Sequence, residues 1–196
     1  MRSGYNVWEN QQGEIHMKFI KGKLAGTYII EPDVFSDPRG FFLETYSRRE
    51  FEKLGINLDF VQDNWSRSVK NTVRGLHYQI NPGQDKLVRV MSGEIFDVAV
   101  DIRRNSPTFG QWESCRLSFE NKRQFFIPKG FAHGFCVISD TADLVYKCSE
   151  FYSPKDERGI IWNDPDIGVE WPIEGEPILS KRDLASPTLK ECERYF

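Results

Sequence analysis

Four side chains in three short motifs could take part in proton transfer. His77 lies in TVRGLHYQ, His133 ends the pattern P-x-G-x-x-H, and Tyr146 and Tyr152 both lie in LVYKCSEFYSP. An imidazole with an ordinary pKa of about 6.5 can act as a base near neutral pH, and a phenol with a pKa of about 10 can donate a proton. A metal centre needs several ligands in one place, and the chain has only three histidines. The motifs therefore favour proton transfer over metal binding.

The composition is typical of a soluble globular protein. At 196 residues, 39% of them hydrophobic, the chain can form one substantial core. Its 26 basic and 29 acidic residues give a net charge of −3, which argues against non-specific nucleic-acid binding. No apolar run has the length of a membrane helix, and the four cysteines form no CxxC pair, so we expect free thiols and a cytoplasmic protein. Residues 1–16 lack the apolar stretch of a secretion signal and are expected to be weakly ordered, which leaves 17–196 as a single domain.

Short apolar runs bounded by Gly, Pro, Asn and Asp recur along the chain and predict β-strands. These runs lie at 26–32, 40–46, 59–66, 72–79, 86–91, 94–102, 112–119, 123–128, 132–139 and 143–151. A helix is predicted over 47–56, because Ser47 can cap it and Gly55 can end it, and a second helix is predicted over the last dozen residues. Many short strands with few helices predict an all-β sandwich or barrel.

The P-x-G-x-x-H pattern, formed by Pro128, Gly130 and His133, resembles the second motif of the cupin superfamily. The resemblance implies a small jelly-roll domain. Metal-binding cupins typically bring two histidines and a glutamate from their first motif, whereas here His77 is followed by Tyr78 and Gln79. The sequence therefore predicts a cupin that uses no metal and no other cofactor.

Between about residues 18 and 187, the chain resembles the dTDP-4-dehydrorhamnose 3,5-epimerases. The resemblance is carried, in order, by DPRGFFLETY, VQDNWSRS, VRGLHYQ, DKLVRVMSGEIFDVAVDIR, SPTFGQW, IPKGFAHGF, YKCSEFYSP, NDPDIGVEWP and SKRD. It implies an isomerase that inverts C3 and C5 of dTDP-4-dehydro-6-deoxy-D-glucose to give dTDP-4-dehydro-L-rhamnose. It also implies a place in dTDP-rhamnose biosynthesis for cell-surface polysaccharide.

The resemblance assigns roles only where this sequence matches the family motifs. His77 matches the general base and Asp183 the carboxylate paired with it, while Tyr146 matches the general acid and Lys86 the cation that stabilises the enolate oxygen. Substrate-binding positions match at Arg39, Glu44, Gln62, Asn64, Arg74, His133 and Tyr152. In the family, the strand from Arg39 to Glu44 reaches the neighbouring subunit's site, which implies a homodimer.

The chemistry agrees with these roles but raises a geometric difficulty. A C–H group beside a ketone is a weak acid, so the site must stabilise the enolate oxygen as charge develops there. Arginines suit the diphosphate of the substrate because the guanidinium group binds phosphate oxygens bidentately. In a regular strand, however, Arg74 and His77 point to opposite faces. We therefore predict an irregularity here, either a β-bulge at Gly75 or a site mouth that curls around the strand edge, which would bring both side chains into one site.

Several alternatives remain open from the sequence. A relative could invert one carbon only, at C3 or C5, or could move the carbonyl as a ketoisomerase by the same enolate chemistry. A non-catalytic cupin could bind a sugar without turning it over, and a metal-dependent cupin oxygenase is disfavoured by the histidine count. Taken singly, His77 and Asp183 would more often be structural residues, since a strand histidine and a turn aspartate are common.

Overall fold

The computed structural model describes residues 17–193 and 196, so the prediction that residues 1–16 are weakly ordered lies outside the described residues. Within those residues there are thirteen strands and two short helices. The strands are β1 (Met17–Lys21), β2 (Tyr28–Pro32), β3 (Phe35–Asp37), β4 (Gly40–Phe42), β5 (Gln62–Val69), β6 (Val73–Gln79), β7 (Lys86–Ser92), β8 (Glu94–Asp101), β9 (Trp112–Ser118), β10 (Gln124–Ile127), β11 (Phe131–Val137), β12 (Thr141–Cys148) and β13 (Glu157–Gly159). The helices are α1 (Arg48–Glu52) and α2 (Lys181–Leu184).

Two antiparallel sheets pack face to face. A six-stranded sheet has the order β1-β2-β10-β7-β12-β5, and a five-stranded sheet has the order β13-β6-β11-β8-β9. A separate hairpin is formed by β3 and β4. Many neighbours in each sheet are distant in sequence, as in a jelly roll, and the predicted all-β cupin class is confirmed.

Three apolar clusters stabilise this sandwich. The first fills the space between the sheets with residues such as Val88, Phe125 and Leu144. The second lies on the far side of the five-stranded sheet, where later parts of the chain cover it, and the third lies under α1 on the far side of the six-stranded sheet. Because the five-stranded sheet is covered on both faces, most of β8 is buried although its residues alternate between apolar and acidic or small.

The helices differ from the sequence prediction. The predicted helix over 47–56 shortens to α1, because the chain turns at Gly55, where φ is +77°, and only glycine adopts this conformation readily. The prediction of a helix over the last dozen residues is wrong for the described part, where turns place Leu189 and Cys192 against the second cluster. Tertiary burial there outweighs local helix propensity. The short strands β1, β3 and β13 and the helix α2 were not predicted.

The predicted irregularity in β6 is confirmed. His77 is paired with His133 of β11, and Arg74 is paired with Phe135. Between these two pairs the chain covers three residue steps in β6 but only two in β11, so β6 contains one extra residue. Gly75 lies within this stretch with φ of +126°, and a Cβ atom added to it would lie 2.5 Å from Cα of Gly134. Glycine is therefore required by both the backbone conformation and the close approach of β11.

In the part of the chain that the structure describes, no helix is long and apolar enough to span a membrane.

Candidate active site

A cavity of about 840 Å³ is lined by residues of both sheets and of the segment 178–183. The side of the six-stranded sheet is formed by β5, β7 and β12, and the other side by β6, β11 and β13. Nine of the eleven site residues predicted from sequence line this cavity: His77, Tyr146, Asp183, Lys86, Gln62, Asn64, Arg74, His133 and Tyr152. The fold thus gathers side chains that are up to 121 positions apart in the chain, from Gln62 to Asp183.

His77 is held by a buried carboxylate. Its Nε2 lies 2.6 Å from Oδ1 of Asp183, whose side chain is only 4% exposed. Burial opposes ionisation of Asp183, but hydrogen bonds from His77 and Ser180 outweigh it and hold the pKa of this carboxyl below its usual range. An ionised Asp183 fixes the orientation and tautomer of the imidazole and leaves Nδ1 available to accept a proton.

Tyr146 faces the same cavity from the other sheet. It lies on β12, where it packs against the cluster between the sheets, whereas His77 lies on β6. Burial raises the pKa of Tyr146 to about 12. The phenol therefore stays protonated at neutral pH, which is the state that a proton donor needs.

Lys86 brings a positive charge to the cavity. It begins β7, beside Cys148 of β12, and burial lowers the pKa of its ammonium group. Among residues 17–193 and 196, its Nζ forms no hydrogen bond or ion pair. A desolvated cation of this kind is available to an anionic group of a ligand.

His133 forms a second histidine–carboxylate pair. It lies directly opposite His77 in the β6–β11 pairing, and its Nε2 is 3.0 Å from both carboxylate oxygens of the fully buried Asp97. Burial raises the pKa of Asp97. Because Nε2 is engaged, Nδ1 is the nitrogen of His133 that is left for a ligand.

The remaining polar residues of the cavity are held in networks. Arg74 donates from Nε to Oγ of Ser68 at 3.0 Å, and the β6 bulge lets it line the cavity together with His77. Gln62 donates to Asn64 at 2.9 Å, and its Oε1 accepts from the backbone N–H of Tyr152 at 2.9 Å.

Sequence reasoning missed three charged residues that line the cavity: Arg67, which pairs with Asp143, and Glu157 and Arg182. The hydroxyl of Tyr152 donates to Oε2 of Glu157 at 2.6 Å, and Arg182 pairs with the same oxygen. Although burial opposes it, these bonds keep the pKa of Glu157 below its usual range. Arg182 lies within the SKRD motif beside Asp183, and that position was the one signal in the sequence that could have found it.

Arg39 and Glu44 lie outside this cavity. Arg39 is exposed next to the β3–β4 hairpin and pairs with Asp37 at 2.5 Å. The predicted role of Arg39 and Glu44 concerns the site of a neighbouring subunit, so this role stays a prediction. Within residues 17–193 and 196, no three His, Cys, Asp or Glu side chains are grouped as a metal site would require.

A jelly roll whose cavity combines a carboxylate-bound histidine, a half-buried phenol and a desolvated lysine has the groups that an isomerase needs to move protons at carbon. The family model for dTDP-4-dehydrorhamnose 3,5-epimerases matches residues 21–191, and the chain belongs to this family. It is accordingly a nucleotide-sugar epimerase of dTDP-rhamnose synthesis.

The sequences of curated relatives align with this chain along nearly their whole length. The dTDP-4-dehydrorhamnose 3,5-epimerase of Shigella flexneri is 55% identical over 92% of this chain and 99% of its own. That of Methanothermobacter thermautotrophicus is 52% identical over 91% and 98%. A solved structure of the dTDP-6-deoxy-D-glucose-3,5-epimerase of Legionella pneumophila, in complex with dTDP-4-keto-L-rhamnose, has a TM-score of 0.89 at 51% identity and covers 91% of this chain and 95% of that one.

Proposed function

We propose that this cavity performs both inversions of dTDP-4-dehydro-6-deoxy-D-glucose, at C3 and at C5, with His77 as base and Tyr146 as acid. The observation that carries the proposal is that these two side chains face one cavity from different sheets. A base and an acid on different sides of a sugar ring can remove a proton from one face and return one to the other, which is what inversion requires.

Each inversion follows a balanced sequence of proton transfers. Nδ1 of His77 takes the proton from the carbon beside the C4 carbonyl, and the electron pair of the broken C–H bond forms an enolate. The charge develops on the C4 oxygen, where the ammonium group of Lys86 stabilises it. Tyr146 then gives its phenolic proton to the opposite face of the carbon. Exchange with water restores the phenol and the neutral imidazole before the second inversion.

The cavity also offers groups for the rest of the substrate. We assign Arg74 and His133 to the diphosphate, since a guanidinium group and an imidazole N–H both suit phosphate oxygens. Gln62 and Asn64 supply amide groups in the same cavity, and Tyr152 supplies an aromatic surface for the thymine ring. The substrate class is thus a thymidine-diphosphate sugar.

Deuterium incorporation tests the proposed function directly. The enzyme is mixed with dTDP-4-dehydro-6-deoxy-D-glucose in D₂O, and the product is analysed by mass spectrometry and proton NMR. Deuterium at both C3 and C5 is expected. Deuterium at only one of them would assign a single-carbon epimerase, transfer of the carbonyl to another carbon would assign a ketoisomerase, and no deuterium would assign a binding protein.

We further infer that the enzyme acts as a homodimer in which Arg39 and Glu44 serve the partner's cavity. Exposed aromatic surface supports this, because Trp65 on the edge strand β5 is 73% exposed and Phe41 in the β3–β4 hairpin is 46% exposed. Surface of this kind is typical of protein–protein contacts. Residues 17–196 act as one domain in this proposal, and the four buried free cysteines are in keeping with a cytoplasmic enzyme.

Subunit complementation tests the dimer. His77→Asn should inactivate a subunit's own cavity, and Arg39→Ala should impair the partner's. After the two inactive variants are unfolded and refolded together, one cavity of each mixed dimer has both residues intact, so about a quarter of the wild-type activity should return. No recovery, or a monomer by light scattering, would refute the shared site.

A further inference from the structure

We propose that Ser180 is a positioning residue for the catalytic base, because its hydroxyl holds the carboxylate of Asp183 in the orientation that His77 needs. The inference rests on the proposed roles of His77 and Asp183. Ser180 precedes α2 and lies at the rim of the cavity.

The hydrogen bonds divide the two oxygens of Asp183 between two partners. Oδ1 lies 2.6 Å from Nε2 of His77, and Oδ2 accepts from Oγ of Ser180 at 2.7 Å. The backbone N–H of Asp183 donates in return to Oγ of Ser180 at 3.1 Å. Since this N–H occupies a lone pair of the hydroxyl, the single hydroxyl proton is directed to the carboxylate.

This arrangement fixes the carboxylate against rotation. Within the described residues, the side chains of His77 and Ser180 are the only ones that hydrogen-bond to the carboxylate of Asp183. Without the hydroxyl, the carboxylate could turn about its Cβ–Cγ bond, and the imidazole would lose part of its alignment. Small misplacements of reacting groups are costly for rate, so the effect should appear in kcat.

A simpler role for Ser180 is helix capping alone, because serine is a favoured residue at this position. The two roles differ in a measurable way. A cap stabilises α2 whatever residue stands at position 183, whereas positioning acts through the ionised carboxylate. The effect of removing the hydroxyl should therefore depend on whether Asp183 is present.

A double-mutant cycle with deuterium incorporation in D₂O as readout tests the proposal. Ser180→Ala should lower kcat about tenfold with little change in KM, which corresponds to the loss of one hydrogen bond to a charged group. In the Asp183→Asn background, the same change should alter kcat by less than about twofold. Ser180→Thr, which keeps the hydroxyl, should restore kcat. Ser186→Ala is a matched control, because this serine donates to the backbone oxygen of Arg182 at the other end of α2.

The outcomes separate the inference from the proposed function. An equal loss of kcat in both backgrounds, or no loss in either, would overturn the positioning role of Ser180. If Asp183→Asn alone kept the wild-type kcat, the proposed His77–Asp183 base would itself be wrong.

Discussion

Replacing Lys86 by methionine should slow the reaction while making the fold more stable. The lysine is desolvated, its pKa is lowered by burial, and its Nζ forms no hydrogen bond or ion pair among the described residues. Methionine has a similar length and no charge, so it fills the same space without the cost of a buried ammonium group. The proposed task of Lys86 is to stabilise the enolate oxygen, and methionine has no donor for it.

The expected size of both effects follows from simple electrostatics. A unit charge about 4 Å from the enolate oxygen contributes about 4 kcal/mol at an effective dielectric constant of about 20. Partial compensation by water reduces this, and loss of one donor to an oxyanion typically lowers kcat by about 10²–10³. Removal of the unpaired charge should stabilise the fold by about 1 kcal/mol, which raises Tm by about 2–4 °C for a domain of this size.

Two measurements on the purified enzyme check this prediction. The rate of deuterium incorporation at saturating substrate gives kcat, and calorimetry gives Tm. Lys18→Met is a matched control, since Lys18 lies on the same sheet but forms a surface ion pair with Glu31 at 3.1 Å; its kcat should not change. A Lys86→Met enzyme with kcat within tenfold of wild type, or with a lower Tm, would refute the reasoning.

Three further predictions concern the same cavity and the strand that supplies its base. His77→Asn should stop deuterium uptake at both carbons, whereas Tyr146→Phe should slow inversion more than exchange, as NMR of the recovered substrate and product would show. The basic limb of the kcat–pH profile should lie below pH 10.5, because burial lowers the pKa of Lys86 and the charged form is lost as pH rises. Tyr146, with a pKa of about 12, stays protonated in this range. Lys86→Arg should therefore move the basic limb to higher pH, and Tyr146→Phe should leave it in place. Gly75→Ala should lower the unfolding free energy by more than about 2 kcal/mol in urea titration, since its Cβ would overlap Gly134.

Sequence patterns predicted the central strands well because these strands are long apolar runs bounded by turn residues. The runs at 72–79 and 86–91 correspond closely to β6 and β7. The prediction of a bulge succeeded because two residues required in one site stood at an odd spacing. Local patterns were sufficient for the strands, whereas the bulge followed from strand alternation together with the family resemblance that assigned Arg74 and His77 to one site.

Features that depend on distant pairing were not predicted. The strand β13 has the sequence ERG and exists because it pairs with Tyr78 and its neighbours in β6, and no propensity indicates such a strand. Glu157 and Arg182 are 25 positions apart and meet only in the folded chain. The strand predicted over 40–46 ends at Phe42, where the hairpin with β3 ends.

Because the cavity lies between two sheets, the rate of epimerisation depends on the packing of the core that separates those sheets. His77 and Tyr146 share no strand, so the gap between them is set by the thickness of the layer that Phe125, Leu144 and their neighbours fill. Protein interiors are packed so closely that one methylene more or less changes such a layer. Trimming a side chain that never meets the sugar would therefore alter epimerisation, and adaptation of this enzyme to cold or heat would have to adjust its core and its speed together.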